Sequence, residues 1–127
     1  MRDFRKLDVW KSAIDLVTDV YKVLELFPDK EKFGLQSQLS RAIVSIPSNI
    51  AEGCAKDSQK EFIRFLKISL GSSFEVETQL IISIKLGYIS NTKGKDIIDK
   101  LHILQKRINA LSKYAKNLTP KTQDPTP

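Results

Sequence analysis

The sequence is poor in the residues that punctuate or staple a chain: one cysteine, five glycines and five prolines in 127 residues, with a single histidine. The lone Cys54 excludes an intramolecular disulfide and a thiolate metal cage, and it fits a reducing compartment. No uninterrupted apolar run approaches the ~18–20 residues that a membrane span requires. The opening Met1-Arg2-Asp3-Phe4-Arg5-Lys6 leads into no apolar stretch of the kind a secretory leader carries. A soluble cytoplasmic protein is the expectation. Strand alternation and internal repeats are absent too.

What is present is an ordinary globular balance, 28% charged and 41% apolar, in a length that makes one domain. Such a chain buries enough surface to need no metal or disulfide support. The charge is uneven. Residues 1–92 carry thirteen basic and twelve acidic side chains, whereas residues 93–127 carry eight and three, a net of +5. A basic C-terminal third on a neutral body points to an anionic partner, nucleic acid being the commonest; a solvated lysine-rich helix is the plain alternative.

Apolar spacing predicts four helices, over about 8–27, 34–54, 58–86 and 92–118. In the first, Trp10, Ala13, Ile14, Val17, Val20, Tyr21, Leu24 and Phe27 recur at three- and four-residue steps, with Asp8 as N-cap and Pro28 as terminator. The second buries Leu35, Leu39, Ala42, Ile43, Ile46 and Ile50, kinks at Pro47 and ends at Gly53. The third opens with the capping box Ser58-Gln59-Lys60-Glu61 and stops at Gly87. The fourth turns Ile97, Leu101, Leu104, Ile108, Leu111 and Ala115 inward, and the Pro-rich residues 119–127 read as a disordered tail. Four amphipathic helices with short connections make an all-α, antiparallel up-down-up-down four-helix bundle.

The third helix is more apolar than a bundle helix needs to be. Phe62, Phe65, Leu66, Val76, Leu80 and Ile84 share one face, with Ser69 and Ser73 among them. Ile63, Leu70, Phe74 and Ile81 form a second seam a quarter-turn away, which is either a self-association surface or part of a wide core. Glu77 falls between the two and needs a partner. The second helix offers a polar stripe, Gln38, Arg41, Ser45, Asn49 and Glu52, in which Arg41 is the candidate partner for Glu77, Glu52 or Glu75. That stripe reads either as a recognition surface or as an ion-pair network fixing helix packing.

Catalytic patterns are missing. His102 has no nucleophile near it in sequence and is expected as an exposed imidazole, while Cys54 is expected as a small buried hydrophobe. The sequence holds no Glu-x-x-His pair, P-loop, dinucleotide fingerprint or zinc spacing, so neither an enzyme nor a cofactor is expected. For an anionic partner, Lys95, Lys106 and Lys113 project from the outer face of the fourth helix, with Lys116 at its edge. Few exposed aromatics interleave with them, so no base-stacking platform is expected.

Longer strings carry a resemblance. They are Leu7-Asp8-Val9-Trp10-Lys11-x-Ala13, Gly34-Leu35-x-x-Gln38-Leu39-x-Arg41-Ala42-x-x-Ser45-Ile46-Pro47-x-Asn49-Ile50-Ala51-Glu52-Gly53, Gly71-Ser72-x-x-Glu75-x-Glu77-Thr78-Gln79-Leu80 and Leu86-Gly87-Tyr88-Ile89. From about Phe4 to Leu111 the chain resembles the four-helix-bundle family of 23S rRNA intervening-sequence proteins. The resemblance implies a left-handed antiparallel bundle and a ring-like homopentamer, which would cover the second seam of the third helix. The family takes its name from the location of its coding sequences inside rRNA genes, which does not itself demonstrate RNA binding. A similar bundle, the basic accessory protein of diversity-generating retroelements, implies RNA or DNA and a reverse transcriptase as partners. A non-catalytic oligomeric nucleic-acid-binding protein is the first expectation, and an adaptor that works through assembly and a polypeptide partner is the second.

Overall fold

The computed structural model describes residues 2–118. They form α1 (Asp8–Leu24), α2 (Leu35–Cys54), α3 (Gln59–Lys85) and α4 (Asn91–Asn117), with short 3-10 turns at Phe4–Lys6 and Asp29–Glu31 before α1 and α2. Among the described residues there is no strand. The tail expected over 119–127 lies outside the described residues.

Cross-helix contacts set the directions. The segment before α1 meets the end of α2, where the Arg2 amide donates to the Cys54 carbonyl. Ser69 of α3 reaches Ile46 of α2, and Phe65 lies against Gly53 further along it. Ile84 packs on Gly94 and Glu77 bonds to His102, so α4 runs back along α3. Asp19 of α1 meets Lys100 of α4, which closes the bundle. The four helices are an up-down-up-down all-α bundle.

Local chemistry explains most of the ends. Ser58 caps α3 by accepting from the Glu61 amide at 3.1 Å, but the Glu61 carboxylate turns to Arg64 instead of completing the box. Ser90 caps α4 in the same way through the Lys93 amide. Helix α3 ends in a Schellman turn: Tyr88 N–H bonds to Ser83 C=O and Gly87 N–H to Ile84 C=O, with Gly87 at φ 78°. The Tyr88 hydroxyl then donates to Glu31 at 2.8 Å and ties that turn to the loop before α2.

Helix α1 departs from the sequence reading at both ends. Asp8 is already helical and Leu7 holds the cap position without a side-chain bond. At the other end the helix stops at Leu24, because the amides of Leu26 and Phe27 turn to carbonyls three residues back. Pro28 disfavours helical geometry at the residue before it, so the last turn tightens. Its buried face is also shifted. Val9, Ala13, Leu16, Val20 and Val23 face the core, whereas Ile14 and Tyr21, expected inside, are exposed.

Helix α2 runs through Pro47 without a break, and the proline itself is buried. Beside it the Ser69 hydroxyl donates to the Ile46 carbonyl at 2.9 Å and ties α3 to α2, while the proline leaves the Ile43 carbonyl one turn earlier without its helical bond. Gly53 is not the terminator expected; it lies inside α2, and a β-carbon there would stand 2.8 Å from that of Phe65. Its role is the close approach of α2 to α3. The core between the helices is mostly aliphatic, with Ile43, Ile46, Ile50, Leu66, Val76, Leu80 and Leu101 fully buried alongside Phe62. Each such side chain contributes about 1.5–3 kcal/mol.

Candidate nucleic-acid interface and polar groove

The basic excess lies within the described part of the chain: residues 93–118 carry seven basic and two acidic side chains. Local carboxylates offset its first half. Lys95 pairs with Asp99 at 3.4 Å, and Lys100 is held by Asp19 at 3.3 Å and by Asp96 at 3.4 Å. Those carboxylates raise the Lys100 ammonium above its ordinary value, Asp19 contributing most. Lys106, Arg107 and Lys113 are exposed and have no carboxylate partner among the described residues. The open positive charge therefore sits on Lys106, Arg107 and Lys113 in the second half of α4, and Lys95 is already engaged.

Lys116 faces elsewhere. With Lys60, Lys67 and Ile63 it lines an open groove of about 300 Å³ between α3 and α4. Lys60 and Lys67 were not singled out in the sequence, because their charge is balanced by nearby acids along α3 and only the fold sets them beside α4. Tyr114 is the one exposed aromatic on α4 among the described residues. It is 61% exposed, one heptad beyond Arg107 on the outer face of α4.

The second seam of α3 divides in two. Ile63 and Leu70 are half-buried and pack against the subunit's own core, while Phe74 is 53% exposed and Ile81 40%. Glu77 sits half-buried between these latter two. Its partner is not Arg41, which bonds to Ser37 at 2.9 Å within α2. Glu77 instead meets His102 Nε2 at 2.9 Å and Gln105 at 3.0 Å, both from α4. The hydrogen bond from His102, then that from Gln105, holds its carboxyl below the ordinary carboxylate value against a smaller desolvation effect. His102 is thus exposed as expected, but it is paired.

The polar stripe of α2 converges with α3. Gln38, Arg41 and Ser45 line an open groove of about 460 Å³ whose far wall is Ser72 and Glu75. Arg41 and Glu75 face one groove without forming an ion pair. Asn49 turns to the Ser45 carbonyl at 2.8 Å, and Glu52 is exposed beyond the groove. Behind Glu75, Gln79 is buried; its amide donates to Glu75 at 3.4 Å, and its Oε1 has no donor among the described residues. The arrangement suits recognition of polar groups. Among the described residues no cluster of three His, Cys, Asp or Glu side chains is placed to hold a metal. Cys54 is buried, which raises its thiol above the ordinary value.

A four-helix chain with these strings matches the family model for the 23S rRNA-intervening sequence protein over residues 5–110. The chain belongs to that family. Among solved structures it is similar to a protein of unknown function from the S23 ribosomal protein family of Bacteroides thetaiotaomicron. The two share 23% identity and a TM-score of 0.77, over 83% of this chain and 98% of that one. That likeness supports the fold alone. No curated protein matches the chain. No helix among the described residues is long and apolar enough to cross a membrane.

Proposed function

We propose that this member of the intervening-sequence family is a non-catalytic, homo-oligomeric protein that binds RNA or DNA through the second half of α4. The observation that carries the reading is the set Lys106, Arg107 and Lys113, exposed and without carboxylate partners on a helix whose net charge is strongly positive. Of the other lysines expected on α4, Lys95 is paired with Asp99 and Lys116 lines the separate groove between α3 and α4. Phosphate contacts of this kind release counterions, so affinity falls steeply with salt and tolerates any sequence. Assembly through Phe74 and Ile81 would repeat the basic surface around the oligomer, and the family resemblance favours five copies. A gel-shift titration at low and at physiological salt tests the reading: binding that weakens strongly with salt supports it, and no binding even at low salt rejects it.

The groove between α2 and α3 favours a second reading, an adaptor that binds a polypeptide. Arg41 and Glu75 stand on opposite walls with no ion pair between them, which suits a partner that brings both an acceptor and a donor. Arg41→Ala is to be compared with the Lys95→Glu, Lys106→Glu, Lys113→Glu triple variant. If the first, well folded, loses cellular partners while the second keeps them, the adaptor reading prevails.

A further inference from the structure

A groove runs between α1 and α4. It has a volume of about 310 Å³ and is lined by Ser12, Asp15, Leu16, Asp19, Lys100, Ile103, Leu104 and Arg107. Its floor is apolar, where Leu16 and Leu104 are buried and Ile103 remains 53% exposed. Its rim is polar and unevenly satisfied. Asp19 and Lys100 are engaged with one another, whereas Asp15 and Arg107 have no side-chain partner among the described residues although both line the groove. Two turns further along the same face of α4 stands Tyr114, exposed and with no hydrogen bond to its hydroxyl among the described residues. Lys113 is its neighbour in the chain.

We infer that the α1–α4 groove and Tyr114 together form a site for an unpaired nucleic-acid strand, a conclusion that rests on the nucleic-acid reading of α4. Every base offers a flat face to an aromatic ring, so Tyr114 holds a base by stacking whatever its identity. At about 310 Å³ the groove has room for a second base, further along the strand, over Ile103 and Leu104. Every nucleobase carries an N–H on its Watson–Crick edge, which the Asp15 carboxylate can accept. In a duplex that edge is occupied by the opposite strand and both faces are stacked, so neither contact is available. Arg107 lies between the two base positions and meets a phosphate of the strand that runs between them, with Lys113 on another. None of these contacts reads the sugar 2′-position, so ribose and deoxyribose strands bind alike.

Fluorescence anisotropy with labelled oligo(U), oligo(dT) and a duplex of the same length, each of ~12 nucleotides to span one site, tests the inference on the full chain. The expected result is that both single strands bind more tightly than the duplex. Tyr114→Ala then weakens single-strand binding about tenfold and leaves duplex binding unchanged, while Tyr114→Phe keeps affinity within about twofold. Arg107→Ala lowers the salt dependence by about one phosphate contact. Circular dichroism confirms folding of the variants, which is expected because Tyr114 and Arg107 are exposed. Equal affinity for duplex and single strand, or indifference to Tyr114→Ala, overturns this inference and leaves the wider nucleic-acid reading standing. Absence of all binding at low salt overturns both.

Discussion

The Glu77 carboxylate of α3 takes a hydrogen bond from each of two α4 side chains, with His102 Nε2 2.9 Å from one oxygen and Gln105 Nε2 3.0 Å from the other. The pair of bonds fixes the register of α3 against α4 between two exposed apolar residues, Phe74 and Ile81. It also makes stability depend on pH. The folded-state value of Glu77 is lowered, so its contribution is complete above the ordinary carboxylate value of 4.5 and is lost as pH falls through the lower folded value. Glu77→Gln is expected to cost about 0.5–1 kcal/mol at neutral pH, a modest figure because His102 is half-exposed. The deficit should shrink in acid. Urea unfolding at neutral pH and below pH ~4 measures it, and an equal deficit at both would show that the carboxylate charge is irrelevant.

Two helical glycines should respond in opposite directions to alanine. At Gly71, inside α3, an added β-carbon meets nothing within 4 Å. Gly71→Ala therefore removes backbone entropy from the unfolded chain without a clash and should stabilise by about 0.5–1 kcal/mol. At Gly53 the new atom would stand 2.8 Å from the Phe65 β-carbon, which cannot swing away without moving α3. Gly53→Ala should cost about 1–3 kcal/mol. Thermal unfolding at one fixed protein concentration compares them, since assembly would otherwise shift the midpoint.

Cys54 packs at the end of α2 against the core, and burial holds its thiol above the ordinary range. The native protein should react slowly with a colorimetric disulfide reagent, and the full equivalent should appear only in denaturant. Fast labelling of the native state would mean that the end of α2 opens readily.

Much of this architecture was readable from the sequence, and the failures share a cause. The helices α2, α3 and α4 each have one dominant stripe or a clear cap, and their extents follow to within a residue or two. Helix α1 carries Val9, Trp10, Ala13, Ile14, Leu16, Val17, Val20, Tyr21, Val23 and Leu24, two overlapping seams, and helical period alone does not say which one the neighbours cover. Gly53 looked like punctuation because nothing local distinguishes a helix end from a close approach to Phe65. The Glu77–His102 bond spans 25 positions and depends on the α3–α4 register, which no local pattern encodes. Tyr114 escaped notice because its exposure is set by the width of the core face of α4, and the charge of Lys95 was counted without its partner Asp99.

Assembly underlies the proposed function, and it makes the sharpest demand on the exposed part of α3. Phe74 and Ile81 lie seven residues apart on one face, both open to solvent, with the satisfied Glu77 between them. Covering such side chains contributes about 1.5–3 kcal/mol each, so an interface centred on them is sensitive to one charge. Phe74→Asp places a carboxylate where that interface would be dry, and its desolvation opposes association. The subunit itself should stay folded, because Phe74 contributes little to the core. Lys106→Glu changes the outer face of α4 and should leave the assembly intact while weakening nucleic-acid binding. Sedimentation equilibrium on the parent chain and both variants is the measurement. An oligomeric parent, a monomeric Phe74→Asp protein and an oligomeric Lys106→Glu protein are expected. A parent that remains monomeric at micromolar concentration would remove both the interface and the repeated basic surface built on it.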